Sequence, residues 1–181
     1  NWFASLVNRP VVDLIERLGA VPEQGSDLLF LPYLGGERTP HNDAGLRGGI
    51  VGLSHETDLR RATQSILEGL SFALRDNLEV LRSAGTNPGQ LLAVGGGAQS
   101  DFWLELLAST LGVPIARPQD SALGAALGAA RLGRLATNPD ADLNDFKPKI
   151  EQLFEPKADL QASLEAGYRR FREAYAGFRA L

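Results

Sequence analysis

The chain contains neither cysteine nor methionine among its 181 residues. Without cysteine there is no disulfide and no thiolate ligand for a metal. The chain also lacks an apolar run of roughly 20 residues, the length that a membrane-spanning helix requires. Acidic residues outnumber basic ones, 22 to 18, for a formal net charge of −4. Because no cluster of lysine and arginine interrupts this balance, we expect neither nucleic acid nor a membrane surface as a partner.

The beginning of the chain leads us to expect a fragment. The first residue is Asn1, and residues 2–7 already have the apolar character of a helix interior. Helices usually begin at a capping side chain, and no cap precedes the segment that opens at Asn1. A length of 181 residues predicts one domain. We therefore expect residues 1–181 to be one domain of a longer protein.

Apolar spacing alternates between helical and extended patterns along the chain. The longest helical pattern covers 58–83, where apolar residues recur every three or four positions. We expect Ser54 or Thr57 to cap this helix and Gly85 to end it. Alternating patterns favour an α/β layer fold with a small sheet flanked by helices. The expected helices cover 1–18 (with a second start at Pro10), 58–83, 101–111, 121–135 and 158–181, and the expected extended segments cover 28–31, 49–53, 91–94 and 113–118.

Three of these segments carry a further expectation. Pro114 and Pro118 cannot donate hydrogen bonds to a sheet, so the strand that contains them is expected at an edge. The glycine and alanine residues of 121–135 permit close packing against a neighbouring turn. The aromatic residues of 158–181 are more typical of a core than of a ligand site. A polar connection is expected over 137–146.

The most informative segment is LLAVGGGAQS at 91–100. A short apolar strand ends there in Gly95, Gly96 and Gly97, and a helix is expected to begin at Asp101. Glycine lets the backbone adopt positive φ and lets a ligand approach closely. The N–H groups at a helix start attract anions. One glycine is normally enough for a plain turn, so this segment favours a nucleotide site.

Two other nucleotide motifs fit this turn less well. The dinucleotide-binding fingerprint needs a third glycine or alanine where this chain has Ser100, and an acidic residue near the end of the second strand. That strand holds Arg117 instead. An arginine there could bind the 2′-phosphate of NADP, so an NADP-dependent enzyme stays open as an alternative. A Walker A loop is excluded, because no Gly-Lys-Ser/Thr sequence follows the turn.

The remaining polar residues indicate no metal site or nucleophile. His41 and His55 lack partners at metal-ligand spacing and are expected to be hydrogen-bonding surface or loop residues. The loop over 33–49 contains Glu37, Arg38, Asp43 and Arg47. We expect these charged side chains to form salt bridges with one another in a solvated loop.

Four segments stand in a specific order. They are LPYLGGERTPH at 31–41, GGIVGL at 48–53 followed by SILEG at 65–69, GGGAQS at 95–100 with Trp103, and ALGAA at 122–126. In sequence and spacing they resemble the FGGY family of carbohydrate kinases, and within it most closely the xylulose kinases. The resemblance runs from about residue 1 to 135 and more loosely to the end.

The resemblance implies an actin-like, ribonuclease-H-like fold of two lobes that close over ATP and a sugar. This chain would be the C-terminal lobe, with a small mixed sheet flanked by helices. The implied activity is cytoplasmic transfer of a phosphoryl group from ATP, with Mg²⁺, to a sugar hydroxyl. No residue of this chain matches the family's catalytic residues, so the missing N-terminal lobe is expected to supply them and most sugar contacts. The residues implied to bind the nucleotide are Gly95, Gly96, Gly97, Ala98, Asp101 and Asn1.

The resemblance leaves alternatives open. The sugar or polyol could be gluconate, glycerol or ribulose instead of xylulose. A non-catalytic nucleotide-binding module could have the same fold. The isolated chain is expected to fold without phosphorylating sugar, and a homodimer is a further expectation for the whole protein.

Overall fold

The computed structural model describes residues 1–138 and 147–179, and these form six α-helices and five short β-strands. In chain order they are α1 Trp2–Leu6, α2 Val11–Glu16, β1 Leu29–Leu31, β2 Gly49–Val51, α3 Leu59–Ser83, β3 Leu91–Leu92, α4 Asp101–Leu111, β4 Ile115–Pro118, α5 Gly124–Thr137, β5 Ile150–Phe154 and α6 Ala158–Phe178. The expected helices are therefore all present. No helix in 1–138 or 147–179 is both long enough and apolar enough to cross a bilayer.

Helix α3 is the longest element and begins at a different cap from the expected one. The Asp58 side chain accepts a hydrogen bond from the Arg61 N–H at 2.7 Å. Ser54 and Thr57 bond to each other in the turn before the helix, where the Ser54 N–H donates to Thr57 Oγ1 at 2.9 Å. The expectation of a Ser54 or Thr57 cap is therefore wrong. The helix ends as expected, with Gly85 at φ +89°.

The strands form two small sheets. β1 and β2 pair antiparallel, and β4 lies between β3, which is parallel to it, and β5, which is antiparallel. The expected edge position of β4 is therefore wrong. Pro114 precedes the strand and Pro118 ends it, so Ile115 and Ala116 between them pair with both neighbouring strands. β5 was not expected from the sequence.

The main core lies between α3, α6 and β1. Its larger buried side chains are Leu31, Tyr33, Phe72, Leu164, Tyr168 and Phe171. A Cβ at Gly69 would collide with the Phe30 carbonyl oxygen, so only glycine lets α3 pack this closely on β1. The expectation that the α6 aromatic residues belong to the core is confirmed for Tyr168 and Phe171, whereas Tyr175 and Phe178 are only partly buried against it.

Helix α5 packs differently from α3 and α6. At its start, a Cβ on Gly124 would lie 3.5 Å from the Gly95 nitrogen, an ordinary van der Waals distance. Among the described glycines of this helix, only Gly124 therefore approaches the glycine turn. Farther along, no residue of α5 is buried, and Leu132 is 69% exposed. Most of the expected polar connection, and the last two residues of the expected C-terminal helix, lie outside the described residues.

Candidate nucleotide-binding site

The glycine turn joins β3 to α4. Gly95 has φ +92°, and its N–H donates to the Ser121 carbonyl at 2.7 Å. A short 3₁₀ turn covers Gly96–Gln99. Ser100 then caps α4, because its hydroxyl oxygen accepts from the Trp103 N–H at 3.2 Å. The expected order of strand, glycine turn and helix is present.

The fold places different demands on the three glycines of the turn. Gly95 has a positive φ that side chains rarely adopt. Gly97 lies against Trp103, whose ring would collide with any Cβ at that position. At Gly96, a Cβ would meet no atom of the described residues within 4 Å, and the backbone φ lies outside the left-handed region. The interior of the fold therefore explains Gly95 and Gly97 but not Gly96, whose open backbone is suited to close approach by a ligand.

Ser121, between β4 and α5, fixes the turn from one side. Its carbonyl accepts from Gly95, and its hydroxyl oxygen accepts from Gln99 Nε2 at 3.0 Å. The turn is therefore held before any ligand binds, which lowers the entropy cost of binding.

Arg117 fixes the turn from the other side. Its Nη1 donates to Asp101 Oδ1 at 2.6 Å and to the Ala98 carbonyl at 3.3 Å. Its Nη2 donates to Gln152 Oε1 at 2.5 Å. These bonds occupy the guanidinium within the fold, which argues against Arg117 as a reader of an NADP 2′-phosphate.

An apolar cavity of about 490 Å³ lies beside the turn. Its lining includes Gly97 and Ala98 of the turn, Leu92 and Val94 before it, and Trp103 after it. The Trp103 ring is oriented by its Nε1–H, which donates to Ser71 Oγ at 3.2 Å. An apolar wall next to polar backbone is a suitable surface for a flat heterocycle such as adenine.

The structure brings together most of the predicted site residues. Gly95–Ala98 form the turn and Asp101 begins the next helix, with its side chain 55% exposed. Asn1 instead lines a different depression, together with Ser5, Asn8 and Arg9. None of those residues belongs to the turn, so the described contacts do not associate Asn1 with it.

The two histidines differ in environment. His41 stacks on Tyr175, with ring centroids 3.6 Å apart and planes inclined by 11°. Its Nε2 is buried without a hydrogen-bond partner among the described residues. His41 therefore lies in a loop as expected, but its Nε2 makes no hydrogen bond there, whereas His55 is exposed as expected.

The charged loop residues bind backbone instead of one another. Asp43 Oδ1 accepts from the N–H groups of Gly45 and Leu46 at 3.0 and 3.2 Å. Arg47 donates to the Ala44 and Leu46 carbonyls. The expected mutual salt bridges are absent from the described residues, where the ionic partner of Asp43 is Arg179 at 3.8 Å.

Glu68 is a buried acidic residue within the SILEG segment at 65–69, and the sequence alone does not single it out. Only 2% of it is exposed. Its two carboxylate oxygens accept from the Ser26 N–H at 2.9 and 3.0 Å, and Oε1 also accepts from Gln64 Nε2 at 2.8 Å. Burial raises the pKa of this carboxyl to about 7, although the hydrogen bonds from Gln64 and Ser26 act in the opposite direction. Glu68 links α3 to the segment before β1.

Comparison with known proteins supports a carbohydrate-kinase relationship. The model of the FGGY family of carbohydrate kinases, C-terminal domain, matches residues 10–137. A xylulose kinase of Escherichia coli K12 is 35% identical over 178 residues, which are 97% of this chain and 37% of that protein. The chain thus spans little more than a third of the length of this relative.

Solved structures show the same relationship. A structure from Brucella ovis described as a xyloylose kinase is 42% identical with a TM-score of 0.90, over 99% of this chain and 38% of that one. A ligand-bound xylulose kinase from Lactobacillus acidophilus is 29% identical with a TM-score of 0.81, over 96% of this chain and 36% of that one. The expected actin-like fold is confirmed by these neighbours. The chain belongs to the FGGY family of carbohydrate kinases and contains the family's C-terminal domain.

Proposed function

We propose that the protein containing this chain transfers the γ-phosphoryl group of ATP to a hydroxyl of a sugar, and that the sugar is D-xylulose. In this proposal the chain is the C-terminal lobe and holds the adenosine part of ATP through Gly95, Gly96, Gly97, Ala98 and Asp101. The observation that carries the nucleotide assignment is the open backbone at Gly96, at a turn fixed from both sides. The names of the similar proteins support xylulose as the sugar.

The chemistry assigned to the chain is binding and orientation. Phosphoryl transfer depends mainly on positioning and charge stabilisation, with a carboxylate to accept the hydroxyl proton. We assign no such base to the described residues. We place the base and most sugar contacts in a preceding lobe, which agrees with the share of the relatives' length that this chain leaves unmatched.

Mg²⁺ would accompany ATP in this reaction. No group of three or more histidine, aspartate or glutamate residues in 1–138 and 147–179 is arranged to hold a metal ion. In our proposal the ATP phosphates and the preceding lobe hold the ion.

The activity can be tested on the intact protein with a coupled assay of ADP release. D-xylulose should stimulate ADP release more than gluconate, glycerol or ribulose. A stronger response to another of these acceptors would change the assigned sugar. ADP binding without stimulation by any acceptor would favour a non-catalytic nucleotide-binding module.

Two further parts of the proposal concern the isolated chain and the whole protein. ATP should raise the melting temperature of the isolated chain more than NADP does, because a ligand that binds only the folded state stabilises that state. It should show no sugar-dependent ATP turnover. For the intact protein we propose a cytoplasmic homodimer, which light scattering on the purified protein and fractionation of cells would test.

A further inference from the structure

Arg117 connects three elements at the end of the glycine turn. It lies on β4, and only 12% of its side chain is exposed. Its hydrogen-bond acceptors are the Ala98 carbonyl in the turn, the Asp101 carboxylate at the start of α4, and the Gln152 amide oxygen on β5. Its Nε also lies 3.7 Å from a carboxylate oxygen of Glu151 on β5. The guanidinium also lies 5.4 Å from the centre of the Phe154 ring. A cation at this depth, held by acceptors on separate elements, fixes their relative positions.

Arg117 holds the carbonyl of Ala98, whose N–H donates to the Gly95 carbonyl within the turn at 3.1 Å. Ser121 holds Gly95 and Gln99, but it does not bond to Ala98. The Ala98 side of the turn and the Asp101 carboxylate are therefore positioned by Arg117. The 2.6 Å bond also offsets the negative charge that Asp101 places beside the turn. Without that cation, the carboxylate would repel the phosphates of a nucleotide in the same region.

We propose that Arg117 is a positioning residue for nucleotide binding, an inference that rests on the function proposed above. It orients the Ala98 peptide and holds Asp101 through one carboxylate oxygen. Because Asp101 is still 55% exposed, the carboxylate keeps a face open to a ribose hydroxyl. Arg117 itself does not contact the nucleotide in this proposal.

The test compares Arg117→Ala with the unchanged intact protein. Loss of the charged donor should weaken ADP binding, measured by calorimetry, at least about 10-fold. The KM for ATP should rise by a similar factor, while the KM for sugar should stay within about 2-fold. Arg117→Lys keeps the charge but cannot bond to three acceptors in this geometry, so its ADP affinity should be intermediate.

Arg75→Ala is the matched control. Arg75 pairs with Glu165 at 2.8 Å, joins α3 to α6 and makes none of the turn's hydrogen bonds. It should lower thermal stability without changing ADP affinity. Unchanged ADP affinity in Arg117→Ala, or in Arg117→Lys if the alanine variant does not fold, would overturn the proposal, as would an equal loss in Arg75→Ala. ADP binding by the unchanged protein without sugar phosphorylation would count against the proposed kinase activity, but not against this role of Arg117.

Discussion

Two regions of the molecule are built in opposite ways. In the packed region, formed by α3, α6 and β1, aromatic and leucine side chains are buried and the polar Glu68 has three hydrogen bonds. In the open region, formed by β3, the glycine turn and α5, Leu92, Val94 and Leu132 are 51%, 56% and 69% exposed. The packed region buries its side chains against one another, whereas the open region exposes backbone and apolar surface. The candidate site lies in the open region, where contacts within the fold do not explain the glycine at position 96.

The largest expected difference between the regions comes from truncating one side chain in each. Phe171 is completely buried between Tyr33 and Phe72. Phe171→Ala should lower the free energy of unfolding by about 3–5 kcal/mol, because it removes apolar contacts and leaves a cavity. The matched change Leu132→Ala in α5 should alter it by less than about 0.5 kcal/mol. Urea denaturation of the chain measures both, and equal losses would show that the two regions are not distinct.

The next effect concerns pH and the packed region alone. The pKa of Glu68 is raised to about 7 in the fold, above the ordinary value of 4.5. The folded state therefore binds this proton more tightly than the unfolded state. The stability that results is fully present below about pH 4.5 and is lost as pH rises through about 7, a change of roughly 3 kcal/mol. Glu68→Gln should flatten that part of the stability–pH curve. If the variant kept the same slope in denaturation at pH 5 and pH 8, another group would be responsible.

A smaller effect should separate folding from binding in the open region. Gly96→Val should leave helical content in circular dichroism nearly unchanged, because no described atom lies within 4 Å of a Cβ there. It should weaken ADP binding about 10-fold, or about 1.4 kcal/mol, by filling the space a ligand would approach. Gly128→Val, also without neighbours within 4 Å, is the control and should bind ADP normally. Undiminished affinity in Gly96→Val would mean that the turn is only structural. Gly97→Val is a poorer probe, because its side chain would strike Trp103.

The smallest expected effect tests how the packed region begins. Asp58→Ala removes the cap of α3 and should cost about 1 kcal/mol of folding stability. Ser54→Ala, which leaves that cap in place, should cost less. Thermal unfolding of the two variants gives the order directly. A larger loss of stability in Ser54→Ala than in Asp58→Ala would instead support Ser54 as the cap, as expected from the sequence.

Local signals account for most of what could be predicted from the sequence. The spacing of apolar residues over 58–83 defines α3 because the helix buries one face along its length. The glycines of 95–97 and the helix after them are also encoded locally. The sequence motifs therefore indicated both the family and the part of the site formed by one continuous segment.

The errors arise where distant segments decide the structure. β5 forms only by pairing with β4, and this pairing also makes β4 the central strand. His41 stacks on Tyr175, which lies far along the chain in α6. Asp58 was overlooked as a cap because Ser54 and Thr57 are equally good capping residues, and only the observed turn shows that they bond to each other. The bonds from Arg117 to Asp101 and Gln152 are likewise invisible without the fold.

The position of β3 has a consequence for handling the chain in solution. In the described sheet β3 pairs with β4 alone, so its other edge offers unpaired N–H and C=O groups beside exposed Leu92 and Val94. An apolar edge of this kind is a template for adding another strand, and proteins usually protect such edges with charge or a covering segment. Produced by itself, the chain should therefore aggregate more readily as its concentration rises, and β3 is where that assembly would begin.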